Sequence, residues 1–260
     1  MIYIDNISFH YHPDRWVFSN LSLTINHQTW NIVAGPEGSG KSTLAKLIKG
    51  ILSPQIGKIY FSSKDNITSE EIGYISGDQC DSVVGVTVLD DICFGMENLC
   101  MSRREMHKRL EEVLAWTELQ GYENRLTHTL SGGELQKLSL AGVLATGSKA
   151  LILDEAFSML DALSRRNARK LIKTLKEKLN LTVIEITNRS KDIDFADTVT
   201  FLNSNGKALF YESTADFLSS DMGTLWISPQ GGIHSLLNSF PAEDRFNVRQ
   251  LLESLNINLT

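Results

Sequence analysis

The chain has 260 residues, 42% of them hydrophobic and 22% charged, an ordinary globular composition with enough apolar material for a large core. Its 25 Lys and Arg against 31 Asp and Glu leave a formal charge of −6, so no basic footprint suggests nucleic acid as a partner. Cys80, Cys93 and Cys100 form no C-x-x-C pair, which fits unpaired thiols in a reducing cytosol better than a disulfide framework. No apolar run approaches the roughly 18 residues that span a bilayer, so a membrane role has to go through a partner.

The chain starts with Met1-Ile2-Tyr3-Ile4-Asp5, directly in an alternating strand pattern and with no visible signal peptide. Residues 1–33 keep that period (Ile2, Ile4, Ile7, Phe9, then Leu21, Leu23, Ile25), which predicts a small antiparallel sheet. His10 and His12 stand two apart near a strand end without a third ligand type at suitable spacing, and are expected to face solvent rather than bind a metal. Trp30–Ala34 reads as a buried strand, and Leu44-Ala45-Lys46-Leu47-Ile48 has helical spacing. Between them lies Gly35-Pro36-Glu37-Gly38-Ser39-Gly40-Lys41-Ser42-Thr43, which fits the phosphate-binding loop G-x-x-x-x-G-K-[ST] in the strand–loop–helix context the motif needs. Glycines at 35, 38 and 40 let successive backbone N–H groups turn inward around a phosphate, and the helix N-terminus adds partial positive charge. Lys41 is expected to reach the β- and γ-phosphates and Ser42 to ligate Mg²⁺. The plainer alternative, a Gly-rich turn at a helix start, does not account for that context. A nucleoside triphosphate is the expected ligand.

Further on, Pro54-Gln55-Ile56-Gly57 is a turn into a strand at 58–61. Residues 102–119 place Met106, Leu110, Val113, Leu114 and Leu119 at helical intervals and, with their neighbours, predict a helical insert at about 90–145. The continuous apolar run 150–153 suits a parallel strand covered on both faces. Residues 163–179 read as an amphipathic helix whose basic residues Arg165, Arg166, Arg169, Lys170 and Lys173 are expected to form a solvated face. A strand at 182–186 follows, then a hairpin of Thr198–Leu202 and 207–211. After Glu212 the pattern weakens to a loop at 229–232 and a possible helix at 242–255.

Two further groups of residues bear on chemistry. Leu151-Ile152-Leu153-Asp154-Glu155 is an apolar strand ending in two carboxylates, of which Asp154 suits Mg²⁺ and Glu155 the polarising of an attacking water. An exposed acidic turn is the competing explanation, and it is weak beside a phosphate loop. In Leu130-Ser131-Gly132-Gly133-Glu134-Leu135-Gln136, Ser131 and Glu134 have capping-box spacing and open a second anion-binding helix terminus. One nucleotide does not need two such termini from one chain. The second is therefore expected to serve a nucleotide held by another chain, in a dimer with composite sites.

These ordered motifs resemble those of ATP-binding cassette (ABC) proteins, the ATPase subunits of membrane transporters, over roughly residues 1–212. Leu130 to Gln136 matches the family's LSGGQ signature, and Ser158-Met159-Leu160-Asp161 matches its D-loop. The segments Thr87-Val88-Leu89-Asp90-Asp91-Ile92-Cys93-Phe94-Gly95 and Ser139-Leu140-Ala141-Gly142-Val143-Leu144-Ala145 are most similar to the energy-coupling-factor (ECF) branch, which drives uptake of vitamins and transition metals. The resemblance implies an α/β fold with a mostly parallel core sheet, an N-terminal antiparallel subdomain, a helical insert and a short helical tail (213–260) suited to dimerisation. It also implies ATP and Mg²⁺ as cofactors, Tyr11 stacked on adenine, and Ser131, Gly132, Gly133 and Glu134 acting on a partner's ATP. The implied partners are a second ABC ATPase and integral membrane subunits at the cytoplasmic face of the cell membrane, with no nucleic acid. The alternative for Tyr11 is a core aromatic continuing the Ile7/Phe9 alternation.

The chain departs from the family in two places. Where the family has a histidine near the γ-phosphate, this sequence has Thr187-Asn188, and Asn188 can hydrogen-bond but cannot carry a proton or a charge. Counting back from Thr87 without gaps puts Gly77 where the family's Q-loop glutamine stands, with Gln79 two residues later. Either the loop is re-registered so that Gln79 serves, or the contact is lost; the ungapped count favours loss. An intact signature beside Asn188 and Gly77 predicts the weaker half of an asymmetric ATPase pair. The rival expectations are a non-hydrolysing regulatory cassette and a soluble ABC ATPase of DNA repair or translation. The latter usually carries a long coiled-coil insertion or two cassettes in one chain.

Overall fold

Apolar alternation makes β1 (Ile2–His12) and β2 (Arg15–Ile25) an antiparallel pair, and β4 (Ile56–Phe61) adds antiparallel to the other edge of β1. The buried residues of β1 change parity, from Ile2 and Ile4 to Ile7 and Phe9. The cause is a register shift between Ile4 and Ile7, where Asn6 adopts a left-handed φ of 48°. One extra residue keeps the same face inward; without it the second half of the strand would turn its apolar side to water. The computed structural model describes residues 1–62, 68–77, 83–203 and 206–227. They fall into two compact units, residues 1–62 with those from 186 onward, and residues 63–185.

In the first unit, β3 (Trp30–Ala34) runs parallel to β8 (Thr198–Leu202), and β9 (Ala208–Tyr211) closes antiparallel on β8 as the predicted hairpin. All five residues of β3 and all five of β8 are buried, so these strands are covered on both faces. α1 (Lys41–Lys49) leaves β3 through the glycine-rich loop and stops at Gly50, a left-handed C-cap. The short helices α6 (Thr214–Ser219) and α7 (Asp221–Ile227) are anchored by aromatic rings: Phe217 stacks on Phe201 at 5.9 Å and meets Tyr211 at 5.1 Å, while Trp226 meets Phe201 edge-on at 5.4 Å. The rest of the expected tail, including the loop at 229–232 and the helix at 242–255, lies outside the described residues.

In the second unit, β5 (Ile72–Ser76) and β6 (Ala150–Asp154) are parallel neighbours with Ser76 opposite Asp154, and β7 (Thr182–Thr187) follows β6 in the sheet. The helical insert is three helices, α2 (Val88–Asn98), α3 (Arg103–Thr117) and α4 (Gly132–Ala145), with α4 packing on the other two. Thr87 and Ser102 cap α2 and α3 with full capping boxes. The α/β class with mainly parallel core strands and an antiparallel N-terminal sheet is therefore as expected.

Two expectations need correction. The basic helix α5 (Ala162–Leu179) does not present all its cations to water. Arg169 is only 4% exposed, donating from Nε to Glu185 Oε1 at 2.9 Å and lying over the Phe157 ring at 5.1 Å. A guanidinium can enter a core when a carboxylate on a neighbouring strand satisfies it, and helical periodicity alone cannot see that strand. His10 is also not freely solvated: its ring packs edge-on against Trp16 at 4.6 Å and its Nδ1 is buried.

Candidate functional site

The phosphate loop sits in the first unit, between β3 and α1. α2 through α6 each begin with a side-chain cap, from Thr87, Ser102, Ser131, Asp161 and Ser213. α1 begins instead at Gly40, with no capping side chain and no acid in its first turn, so its first N–H groups and dipole remain directed at the loop. Gly40 has φ 92°, and a Cβ there would lie 2.7 Å from Val17 and 2.8 Å from Phe18, so position 40 excludes a side chain on both angle and space. Lys41, 6% exposed, extends across the loop and donates to the carbonyls of Gly35 (2.9 Å) and Pro36 (2.7 Å). Ser39 is 2% exposed and its hydroxyl is buried without a protein partner. A buried orphan hydroxyl, a buried ammonium and uncapped amides converging on one loop suit a phosphate chain. Gly38 is exposed at the loop's outer turn, and Ser42 is half-buried at the start of α1. Thr43 is buried, its Oγ1 lying 3.2 Å from the Tyr11 hydroxyl. Tyr11 itself is 54% exposed, so it is not the core aromatic of the alternative, and it presents an open ring edge-on to Phe9.

Asn188 is exposed just after β7. The turn that carries it is organised by Thr187, whose hydroxyl donates to Asp192 (3.0 Å) and accepts from the Arg189 N–H (3.0 Å).

The acidic turn sits in the second unit, at the end of β6. Asp154 is buried and its Oδ2 accepts a 2.6 Å hydrogen bond from the Tyr74 hydroxyl on β5. Glu155 follows in the left-handed region, φ 51°, where a residue with a Cβ is strained. Its carbonyl accepts from the Ser158 N–H at 2.9 Å, and the buried Gln136 of α4 donates its amide to the Ala156 carbonyl. The sequence places Gln136 at the end of the signature but points neither to its Ala156 contact nor to the bond from Tyr74 to Asp154. The available signal was a polar atom inside an otherwise apolar strand or helix face. Gln79 lies outside the described residues; Gly77 is described and lies against Glu155.

The expected capping box at α4 is present. The Ser131 N–H donates to Glu134 Oε2 at 2.7 Å, and the Glu134 N–H donates to Ser131 Oγ at 3.4 Å. The Ser131 N–H, with further bonds from Ser131, Tyr122 and Arg125, lowers the Glu134 carboxyl to about 2. Ser131 and Gly132 are exposed, and Gly133 is half-buried. The terminus borders a groove of about 980 Å³ in the second unit, beside Trp116, Asn167 and Lys170. Asp161 caps α5, accepting from the Leu163 and Ser164 N–H groups at 2.9 and 3.0 Å, and the Ser164 hydroxyl holds its carboxyl below the ordinary range.

A carboxylate and a hydroxyl are hard oxygen donors. Mg²⁺ prefers one or two such ligands with phosphate oxygens and water over a closed protein cage, and Ser42 in the first unit and Asp154 in the second are each, taken singly, an oxygen donor of that kind. Among the described residues no helix is long and apolar enough to cross a membrane.

Comparison with known proteins gives a consistent picture. The ABC transporter family model matches residues 18–158. The energy-coupling factor transporter ATP-binding protein EcfA1 of Oceanobacillus iheyensis is 39% identical over 206 residues, spanning 76% of this chain and 74% of that protein. EcfA1 of Fusobacterium nucleatum is 39% identical over 214 residues, spanning 80% of each. Among solved structures, CbiO1 from Clostridium perfringens, part of the ABC transporter complex CbiONQ, superposes with a TM-score of 0.76 at 26% identity, over 91% of this chain and 98% of that one.

Proposed function

The chain belongs to the ABC transporter family as an ATP-binding subunit of energy-coupling-factor type, and from that premise we propose that its ATP hydrolysis powers uptake of a small nutrient, such as a vitamin or metal ion, through separate membrane subunits. The observation that carries the ATP-binding part of this reading is the phosphate loop, which brings together the uncapped start of α1, the orphan Ser39 hydroxyl and the Lys41 ammonium. Loop amides and Lys41 bind the triphosphate, and the Tyr11 ring offers a face to adenine. Ser42 and Asp154 are the oxygens that would hold Mg²⁺, and the ion would supply neutralisation of the charge on the phosphate oxygens. Glu155 accepts the proton of the attacking water. Ser131, Gly132, Gly133 and Glu134 form the start of α4 that faces a nucleotide on a second ATPase, and Asp161 fixes the adjoining segment by capping α5.

Asn188 cannot perform the histidine's electrostatic part, so the chain is the slower member of a heterodimer. Loss of one positioned catalytic group commonly costs on the order of 10²–10⁴ in rate. The membrane subunits hold it at the cytoplasmic face. ATP turnover is measured for the purified chain alone and with the second ATPase; slow turnover alone that Asn188→His raises is the expected result. Fast turnover alone, insensitive to Asn188→His, contradicts the asymmetry. Co-purification with detergent-solubilised membrane proteins, followed by their identification, tests the transport assignment and names the cargo subunit.

A further inference from the structure

We propose that Gly77 is a positioning residue for Glu155: the absence of a side chain at the end of β5 is what allows the turn carrying the base to take its observed shape. The inference rests on the reading of Glu155 as the group that polarises water. β5 and β6 run in register with Ser76 beside Asp154, so the next residue on β5 falls against the next on β6. A Cβ on Gly77 would lie 2.6 Å from the Glu155 carbonyl oxygen, 3.2 Å from its carbonyl carbon and 3.0 Å from Ser158 Oγ. The first distance is shorter than side chains tolerate, and the atom met is backbone, which cannot swing aside as a flexible side chain would.

Gly77 is not among the residues with positive φ, so it is space and not a left-handed backbone that excludes a side chain there. The residue with the unusual angle is the neighbour, Glu155 at φ 51°. Its carbonyl is tied to the Ser158 N–H at 2.9 Å, and the bond would break if the peptide rotated away from an intruding methyl. Strained non-glycine backbone persists where surroundings over-determine it. Here the surroundings are the Ser158 bond on one side and the closely approaching strand end at Gly77 on the other. A side chain at 77 therefore acts on the base through the peptide of Glu155, and restoring the family's glutamine there displaces the base instead of repairing the site.

The test uses the full-length chain and the variants Gly77→Ala and Gly77→Gln, read by three measurements. ATP turnover at saturating ATP falls by on the order of 10²-fold in both variants while ATP affinity stays at the wild-type value, the split expected when a group acting in the reaction step is misplaced. Hydrogen exchange of the peptide covering residues 154–160 speeds up in Gly77→Ala, reporting loss of the Ser158 bond. The melting-temperature penalty of Gly77→Ala shrinks when Glu155→Gly is added, because a glycine at 155 lets the carbonyl leave the methyl's path. If Gly77→Ala alone does not fold, the double variant must recover the fold; failure to do so overturns the proposal. Wild-type exchange and turnover in Gly77→Ala, or a gain of turnover in Gly77→Gln, also overturns it. If the wild-type chain hydrolyses no ATP, the assignment of Glu155 fails on that arm alone, and exchange and melting still decide whether Gly77 shapes the turn.

Discussion

Lys41 shows how much of the nucleotide site is carried by single side chains. It is a buried ammonium whose visible partners include the carbonyls of its own loop, so a triphosphate would meet it already aimed inward. Lys41→Ala removes a charge-assisted hydrogen bond of about 1.5–3 kcal/mol, and ATP affinity measured by calorimetry should weaken roughly ten- to hundredfold. Tyr74 acts at one remove. Its hydroxyl donates to the Asp154 carboxylate at 2.6 Å, and Tyr74→Phe removes that bond. On the proposed assignment of Asp154 to Mg²⁺, and because outer partners of metal ligands typically carry about a tenfold share of affinity, the Mg²⁺ concentration for half-maximal turnover should rise by roughly that factor, with ATP affinity in the absence of Mg²⁺ unchanged. Glu134 supplies a pH test. Its folded-state value, about 2, lies below the ordinary 4.5, so its contribution is complete above 4.5 and lost as pH falls towards 2. Melting temperatures recorded from about pH 5 to about pH 2 should therefore fall less steeply in Glu134→Gln than in the wild type.

Among the elements, α5 and β7 are joined by Arg169 and Glu185, both almost fully buried. Arg169→Ala takes the guanidinium away from a buried carboxylate and should cost about 3–5 kcal/mol in urea unfolding, whereas Arg169→Met with Glu185→Leu should recover most of that loss. This pair also marks where the sequence ceased to be legible. The phosphate loop, the capping box of Ser131 and Glu134 and the apolar run 150–153 of β6 are local patterns, each complete within about ten residues of chain and therefore legible in the sequence. The bulge at Asn6 left a trace too, in the parity change from Ile4 to Ile7. Arg169 with Glu185, Tyr74 with Asp154 and Gln136 with Ala156 were not readable. Each joins elements 16 to 80 residues apart, and which elements become neighbours is decided by strand order. A basic residue on an amphipathic helix reads as solvated until the strand behind it is known.

For the whole molecule, the start of α4 is the feature that points beyond one chain. The phosphate loop has its own helix terminus in α1, and α4 offers another whose first residues, Ser131 and Gly132, stay exposed. On the proposed reading a Ser131→Arg variant should bind ATP normally by itself yet abolish the stimulation it gives to the second ATPase, as measured by turnover of the mixed pair. A variant that stimulates as well as the wild type would remove the reason to assign α4 to a partner's nucleotide. Gly77 also bears on redesign. With the Glu155 carbonyl occupying the space a side chain would need, a glutamine placed at 77 calls for a change in the turn at 155 as well. The two positions are one unit of design, and a substitution at 77 alone starts from the wrong end.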